Sequence, residues 1–289
     1  MAFPSPPTLS LGGLPSVTLQ DGSKRGAKRV QVAIGRTFAN LQKSGSSASY
    51  GFAPNGDYGA WALIEHGIKQ STRWIYLEDQ YLVSRMARRA LLEKLKEPKF
   101  EFLLMLMNNS GAAANDFKFL VTARNEFRRD LFAIDRKQAR WGMFTLKEPV
   151  NRERQQWCGS YVHSKTWIFD DGYVVVGSAN CDNRGYTHDT EVVAGITDAN
   201  TLDVFLGESF AVDLRTRLWH KHLGLPHNQI RDWNKGIKVW KKPPPSAMIV
   251  DASALESDYD LVPPTQFPSP SDLNAVEYAW TMFVDPDSR

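Results

Sequence analysis

Strand-like and helix-like segments alternate along the first half of this chain, and that alternation narrows the fold to a layered α/β class. Residues 29–34 (Arg-Val-Gln-Val-Ala-Ile) follow the two-residue period of a strand. Asp57 stands where it can cap a helix that buries Trp61, Ile64 and Ile68 at helical spacing. Residues 74–77 read as a short strand, followed by the polar run Glu78-Asp79-Gln80-Tyr81. Residues 85–95 read as a helix that stops before Pro98. Residues 100–107 read as a buried strand, and residues 115–134 as a helix with Phe117, Leu120, Val121, Phe127 and Leu131 inward.

The next stretch is strand-rich, with predicted strands at 142–146, 157–169, 173–178 and 190–196. Asp170-Asp171-Gly172 supplies hairpin turn chemistry between two of them. A helix over 200–223 closes the unit. The expected fold is therefore a central mixed sheet flanked by helices on both faces. Residues 1–28, rich in Pro, Ser and Gly, read as a linker, 29–224 as the folded domain, and 225–289, with Pro243-Pro244-Pro245, as an irregular tail.

Composition excludes some classes. A hydrophobic share of 42% in 289 residues is enough for one large core or two modest ones. The longest apolar run, 102–107, is too short to span a bilayer. Residues 1–20 have no basic segment followed by an apolar one, so they do not read as a signal peptide. The compartment stays open between cytoplasmic and peripheral to a membrane. Net charge is +3 and the basic residues are scattered, which disfavours a nucleic-acid partner. Two cysteines, Cys158 and Cys181, make no disulfide framework, and a single bridge between them is left open.

The chemistry lies in His163-Ser-Lys165, then Asp170, then Gly177-Ser178-Ala-Asn180, or H-x-K-x4-D-x6-G-S-x-N. Chance would produce this pattern on the order of a few times in a million chains of this size, so it is specific. On a strand, His163 and Lys165 would share a face, and the hairpin would bring Ser178 and Asn180 back to the same sheet edge. An imidazole, an ammonium, a hydroxyl and a carboxamide suit a tetrahedral phosphate: cation and neutral donors hold the oxygens while the imidazole attacks phosphorus or moves a proton. This chemistry calls for no cofactor and no metal. A zinc site from Cys158, His163, Cys181 and His188 lacks standard ligand spacing, and His220 and His222 fall on different helix faces.

The pattern is that of the phospholipase D superfamily, whose HKD motif it resembles. Other stretches resemble the C-terminal half of a bacterial two-motif phospholipase D: Arg29-Val-Gln-Val, the element Arg73-Trp-Ile-Tyr-Leu-Glu-Asp-Gln-Tyr81 with Glu-Asp-Gln for the family's Glu-Asn-Gln, Thr190-Glu191, Leu214-Arg-Thr-Arg-Leu-Trp219 and His222-Leu-Gly. The likeness covers roughly Arg29 to Gly224, with a weaker echo at Val284-Asp-Pro-Asp. It implies a phospholipase-D-like sandwich forming one half-unit. It implies phosphodiester cleavage or transfer on phospholipids at a membrane surface, through a phosphohistidine. By the same resemblance His163 is nucleophile or general acid, and Lys165, Ser178 and Asn180 hold phosphate oxygens. Asp170 organises the site, Glu191 or else Asp189 bonds a histidine, and Glu78 and Gln80 support. The family needs two such histidines per site, and of six histidines here only His163 has the required lysine and aspartate. The second HKD half must come from another polypeptide, a longer parent chain or a second copy, with a separated or truncated half favoured over a homodimer. A homodimeric nuclease of the same family, and a non-catalytic fragment or regulatory subunit, are the alternatives.

Overall fold

The computed structural model describes residues 16–19, 28–42, 48–108, 119–151, 156–198 and 209–255. Its centre is an 11-stranded mixed sheet. In chain order the elements are β1 (Ser16–Leu19), β2 (Lys28–Phe38), β3 (Asp57–Tyr58), α1 (Gly59–Gln70), β4 (Trp74–Asp79), α2 (Arg85–Lys96), β5 (Phe102–Met107), α3 (Phe119–Ile134) and β6 (Trp141–Asn151). They continue with β7 (Gln156–Ser160), β8 (Thr166–Phe169), β9 (Tyr173–Gly177), α4 (Asn183–Thr187), β10 (Glu191–Asp198), α5 (Phe210–Leu223), α6 (His227–Ile230), α7 (Trp233–Lys241) and β11 (Ile249–Asp251). The sheet order is β1-β2-β10-β9-β8-β4-β5-β6-β11, with β3 on β2 and β7 on β6. Among the described strands only β4–β5 and β5–β6 pair in parallel.

β4 and β5 are buried at every position, as expected of strands covered on both faces. One face packs Ile75, Leu77, Leu103, Met105, Trp167 and Phe169 against α1, α2 and α3. The other packs Trp74, Tyr76, Leu104 and Ile168 against Trp219, Ile237 and Trp240 of α5 and α7. Gly67 lets α1 lie close on the first face: a Cβ there would stand 2.4 Å from the Phe169 ring. Ser84 caps α2 by accepting from the Ala87 amide at 3.1 Å. The expected mixed sheet with helices on both faces is thus what the chain forms.

Some expectations shift. Asp57 accepts from the Gly59 amide at 3.0 Å, but the residue at the helix N-cap is Tyr58. The expected helix over 200–223 is described from Phe210, and that over 115–134 from Phe119. Part of the expected tail is ordered, since α6, α7 and β11 lie within 225–289; residues 256–289 lie outside the described residues. Within the expected linker, residues 16–19 pair with β2. The single strand expected over 157–169 is two strands, β7 and β8, separated by 161–165. The reason is topological. β7 pairs with β6, whereas β8 lies between β9 and β4. Leu146 of β6 pairs with Ser160 of β7 on one side and with Ile249 of β11 on the other, so β7 continues the line of β5, and the chain crosses about two strand spacings, roughly 10 Å, past the ends of β5 and β4 to reach β8.

Candidate functional site

The crossing places the motif. β4, β5 and β6 run parallel, so their carboxyl ends share one edge of the sheet. β8 is antiparallel to β4, β9 to β8, and β10 to β9. The start of β8, the end of β9 and the start of β10 therefore meet at that edge. It collects Glu78, Asp79 and Gln80, then Asn108, then 161–165, then Ser178 and Asn180, and Glu191. The carboxyl edge of strands that change partners is where α/β sheets commonly hold ligands.

His163 and Lys165 sit in the crossing segment, not on a strand, so the shared strand face expected for them is replaced by direct contacts. Lys165 is buried and donates from Nζ to the His163 carbonyl at 2.8 Å and to Gln80 Oε1 at 3.1 Å. Burial holds its ammonium below the usual lysine range, partly offset by the negative charges of Asp79, Glu191 and Asp182. Gln80 Nε2 donates to the Tyr161 hydroxyl at 2.5 Å, so one amide ties both sides of the His163 segment. The Asn108 side chain accepts from the Val162 amide and fixes the same segment. His163 itself is exposed, with its ring 6.0 Å from that of Tyr161.

Beneath this segment runs a buried polar network. Ser164 Oγ donates to Glu78 Oε2 at 2.5 Å, and Glu78 Oε1 meets the Tyr76 hydroxyl at 2.5 Å and His222 Nε2 at 2.8 Å. Burial pushes the Glu78 carboxyl up, but the His222 hydrogen bond and charge, with the Ser164 and Tyr76 hydroxyls, bring it below its ordinary range. Asp79, on β4, is fully buried. Its Oδ1 accepts from the Tyr81 and Leu82 amides at 2.8 and 3.2 Å, and its Oδ2 from the Cys181 amide at 2.8 Å. Burial raises Asp79 to about 6 against the pull of these donors and of Lys165. His222 and Asp79 were missed as site residues. Their signals were present, in His222-Leu-Gly and in the middle of Glu-Asp-Gln, but only the tertiary contacts reveal them.

Ser178 donates to Glu191 Oε2, and its Oγ accepts from the Val192 amide at 3.0 Å. Burial raises the Glu191 carboxyl, opposed by that Ser178 bond and by Lys165. Glu191, from which a histidine bond was expected, is engaged at Oε2 by Ser178, and Asp189 pairs with Arg184 at 2.6 Å within its own turn. Asn180 Oδ1 is a buried polar atom without a hydrogen bond. His188 caps the end of α4. Asp170 lies at the opposite sheet edge, roughly 16 Å from Lys165 along β8. There its carboxylate accepts from the Thr72, Arg73 and Trp74 amides at 2.6, 3.1 and 2.7 Å. Its carboxylate is thus spent on the amides of that edge and does not reach Lys165 or Ser178.

Among the described residues no group of three or more His, Cys, Asp or Glu side chains could hold a metal ion. Cys181 is a buried free thiol, and the Cys158 side chain lies outside the described residues. No helix among the described residues is long and apolar enough to cross a membrane.

Residues 118–241 match the family described as Phospholipase D, a span that contains His163, Lys165, Asp170, Ser178 and Asn180. Phospholipase D C of Dictyostelium discoideum is 40% identical over 76 residues, which are 24% of this chain and 5% of that protein. Phospholipase D1 of Schizosaccharomyces pombe is 35% identical over 100 residues, 28% of this chain and 7% of that one. The chain spans only a small part of the length of these relatives. The solved structure of phosphatidylserine synthase from Haemophilus influenzae Rd KW20 aligns over 88% of this chain and 46% of its own, with 12% identity and a TM-score of 0.49. On the family match and the curated relatives, residues 118–241 are a Phospholipase D family domain.

Proposed function

We propose that this chain supplies one of two half-sites of a phospholipase D-type phosphodiesterase acting on phospholipids. One observation carries the reading: an exposed His163, whose main-chain carbonyl accepts from the buried Lys165 ammonium, lies at the sheet edge that also carries Ser178 and Asn180. A buried cation is costly unless it serves an anion or has compensating partners, and here its direct partners are two neutral oxygens. The nearby negative charges of Asp79, Glu191 and Asp182 offset that burial only in part, and the phosphate of a diester adds a direct anionic partner. His163 then serves as nucleophile, forming a P–N bond as the P–O bond to the leaving alcohol breaks, or as the acid that protonates that alcohol. The other role falls to a histidine of the second half, in line across phosphorus. Water cleaves the P–N bond in hydrolysis, and an alcohol does so in transfer. Phospholipid is favoured as substrate by the resemblance at Glu78–Tyr81 and by the names of the curated relatives.

The test is turnover of phosphatidylcholine vesicles and of a generic phosphodiester, with and without a second HKD half. His163→Ala and Lys165→Met should each lower turnover by about a hundred- to ten-thousand-fold with the fold retained. Turnover within about twofold of the parent would defeat the assignment. Cleavage of nucleic acid but not phospholipid would move the substrate to the nuclease class. Inactivity in every combination would favour a non-catalytic subunit.

A further inference from the structure

The Asp79 carboxylate has no role in the chemistry above, yet it is fully buried and touches three backbone donors. The resembled family element has an amide at this position. An amide cannot serve here: Oδ1 faces the Tyr81 and Leu82 N–H groups and Oδ2 faces that of Cys181, so a side-chain NH2 would oppose an N–H in either orientation. The turn that these bonds hold is unusual. Leu82 has a φ of 53°, in the left-handed region that a leucine rarely adopts. The turn projects Gln80 onto Lys165 and also runs against the Ser178–Cys181 segment, where Val83 and Ser84 donate to the Cys181 carbonyl at 2.8 and 2.9 Å.

We propose that Asp79 is a positioning residue for this site: its carboxylate clamps the turn that presents Gln80 to Lys165 and supplies the negative charge against which buried Lys165 stays an ammonium ion. The other charged or titratable groups around it fit that role. The Arg124 guanidinium of α3 is occupied by the Gln80, Tyr81 and Asn108 carbonyls. The Cys181 thiol and the Tyr186 phenol are pushed up by burial and, further, by the Asp79 charge, so both stay neutral. Asp182 and Glu191 also act on Lys165, but Asp79 is the larger influence. Acid weakens the clamp selectively. The first proton belongs on Oδ2, which has one donor rather than two, so the Cys181 contact is released before the Tyr81 and Leu82 contacts.

The inference rests on Lys165 as the phosphate-holding cation, but its main test needs no turnover. The side-chain resonances of Lys165 and the backbone amides of Tyr81, Leu82 and Cys181 are followed by NMR against pH in the full chain. Lys165 and the Cys181 amide should show a common inflection near pH 6, where burial places Asp79. In Asp79→Asn that inflection should vanish and Lys165 should lose its proton at lower pH. If the variant does not fold, the native titration alone decides. A Lys165 signal with no inflection as Asp79 titrates overturns the proposal, as does an unchanged Lys165 titration in a folded variant. In an active assembly the alkaline limb of kcat/KM should move to lower pH in Asp79→Asn. Absence of any activity would count against the function proposed above and leave the NMR result standing.

Discussion

At the scale of single residues, the site is an exercise in burying charge. Asp79 shows the sign of the effect. Its folded pKa is raised from 3.8 to about 6, so between those values the folded chain binds more protons than the unfolded one. Stability from this group therefore rises as pH falls through about 6 and levels off below about 4. At neutral pH the ionised carboxylate costs about 3 kcal/mol relative to an unperturbed one. The difference in melting temperature between the parent and Asp79→Asn should therefore shift in the parent's favour between pH 7.5 and pH 5. A difference constant across that range would mean that Asp79 does not titrate there. The proton that releases Cys181 thus weakens one contact in the site without weakening the fold. His163 and Lys165 were legible in the sequence because the motif fixes residue types at fixed spacing. Asp79 and His222 were not, because the contacts that tie them across the site, Asp79 with Cys181 and His222 with Glu78, join residues about a hundred or more apart in sequence.

At the scale of elements, the β8–β9 hairpin separates two jobs. Its open end carries Lys165 and Ser178 at the site. Its closed end carries Asp170 and Asp171, both with positive φ, at 52° and 59°, as the tight turn demands. Asp170 there gathers the amides that open β4 and so fixes β4 beside β8. Asp170→Ala leaves these donors without their acceptor and places a less tolerant residue at positive φ. It should destabilise the chain by about 2–4 kcal/mol in urea unfolding, and Asp170→Asn should cost less. Loss of turnover with stability unchanged within about 0.5 kcal/mol would instead give Asp170 a chemical role. The motif showed that Asp170 matters. The hairpin reading already put Asp170 in the turn, away from the end that carries Lys165 and Ser178; it did not show what the carboxylate binds there, since Thr72, Arg73 and Trp74 lie about a hundred residues away.

For the whole molecule, the question is what covers the sheet beside the site. Ile34 is 63% exposed and Val192 52% exposed. They lie on adjoining strands, where Ile34 pairs with Ala194 and Arg36 with Val192, and β10 begins at Glu191. On the proposed half-site reading, these two exposed apolar side chains beside the site are where a second half would pack. Replacing both Ile34 and Val192 by Lys should leave the melting temperature within a few degrees. It should abolish any concentration-dependent association seen by light scattering, together with activity that depends on that association. A doubly substituted chain that still assembles and turns over as the parent does would place the interface elsewhere. Apolar period and turn chemistry are local, so the sequence by itself determined the α/β class, the strands β4 and β5 with β5 buried, the hairpin and the identity of the motif. It could not determine that β7 pairs with β6 while β8 lies on the far side of β4, because strand pairing is a long-range choice made by the packed sheet. That choice takes 161–165 out of the sheet and across its edge. It brings Glu78, Asp79 and Gln80 beneath His163 and Lys165, and it sends Asp170 to the far end.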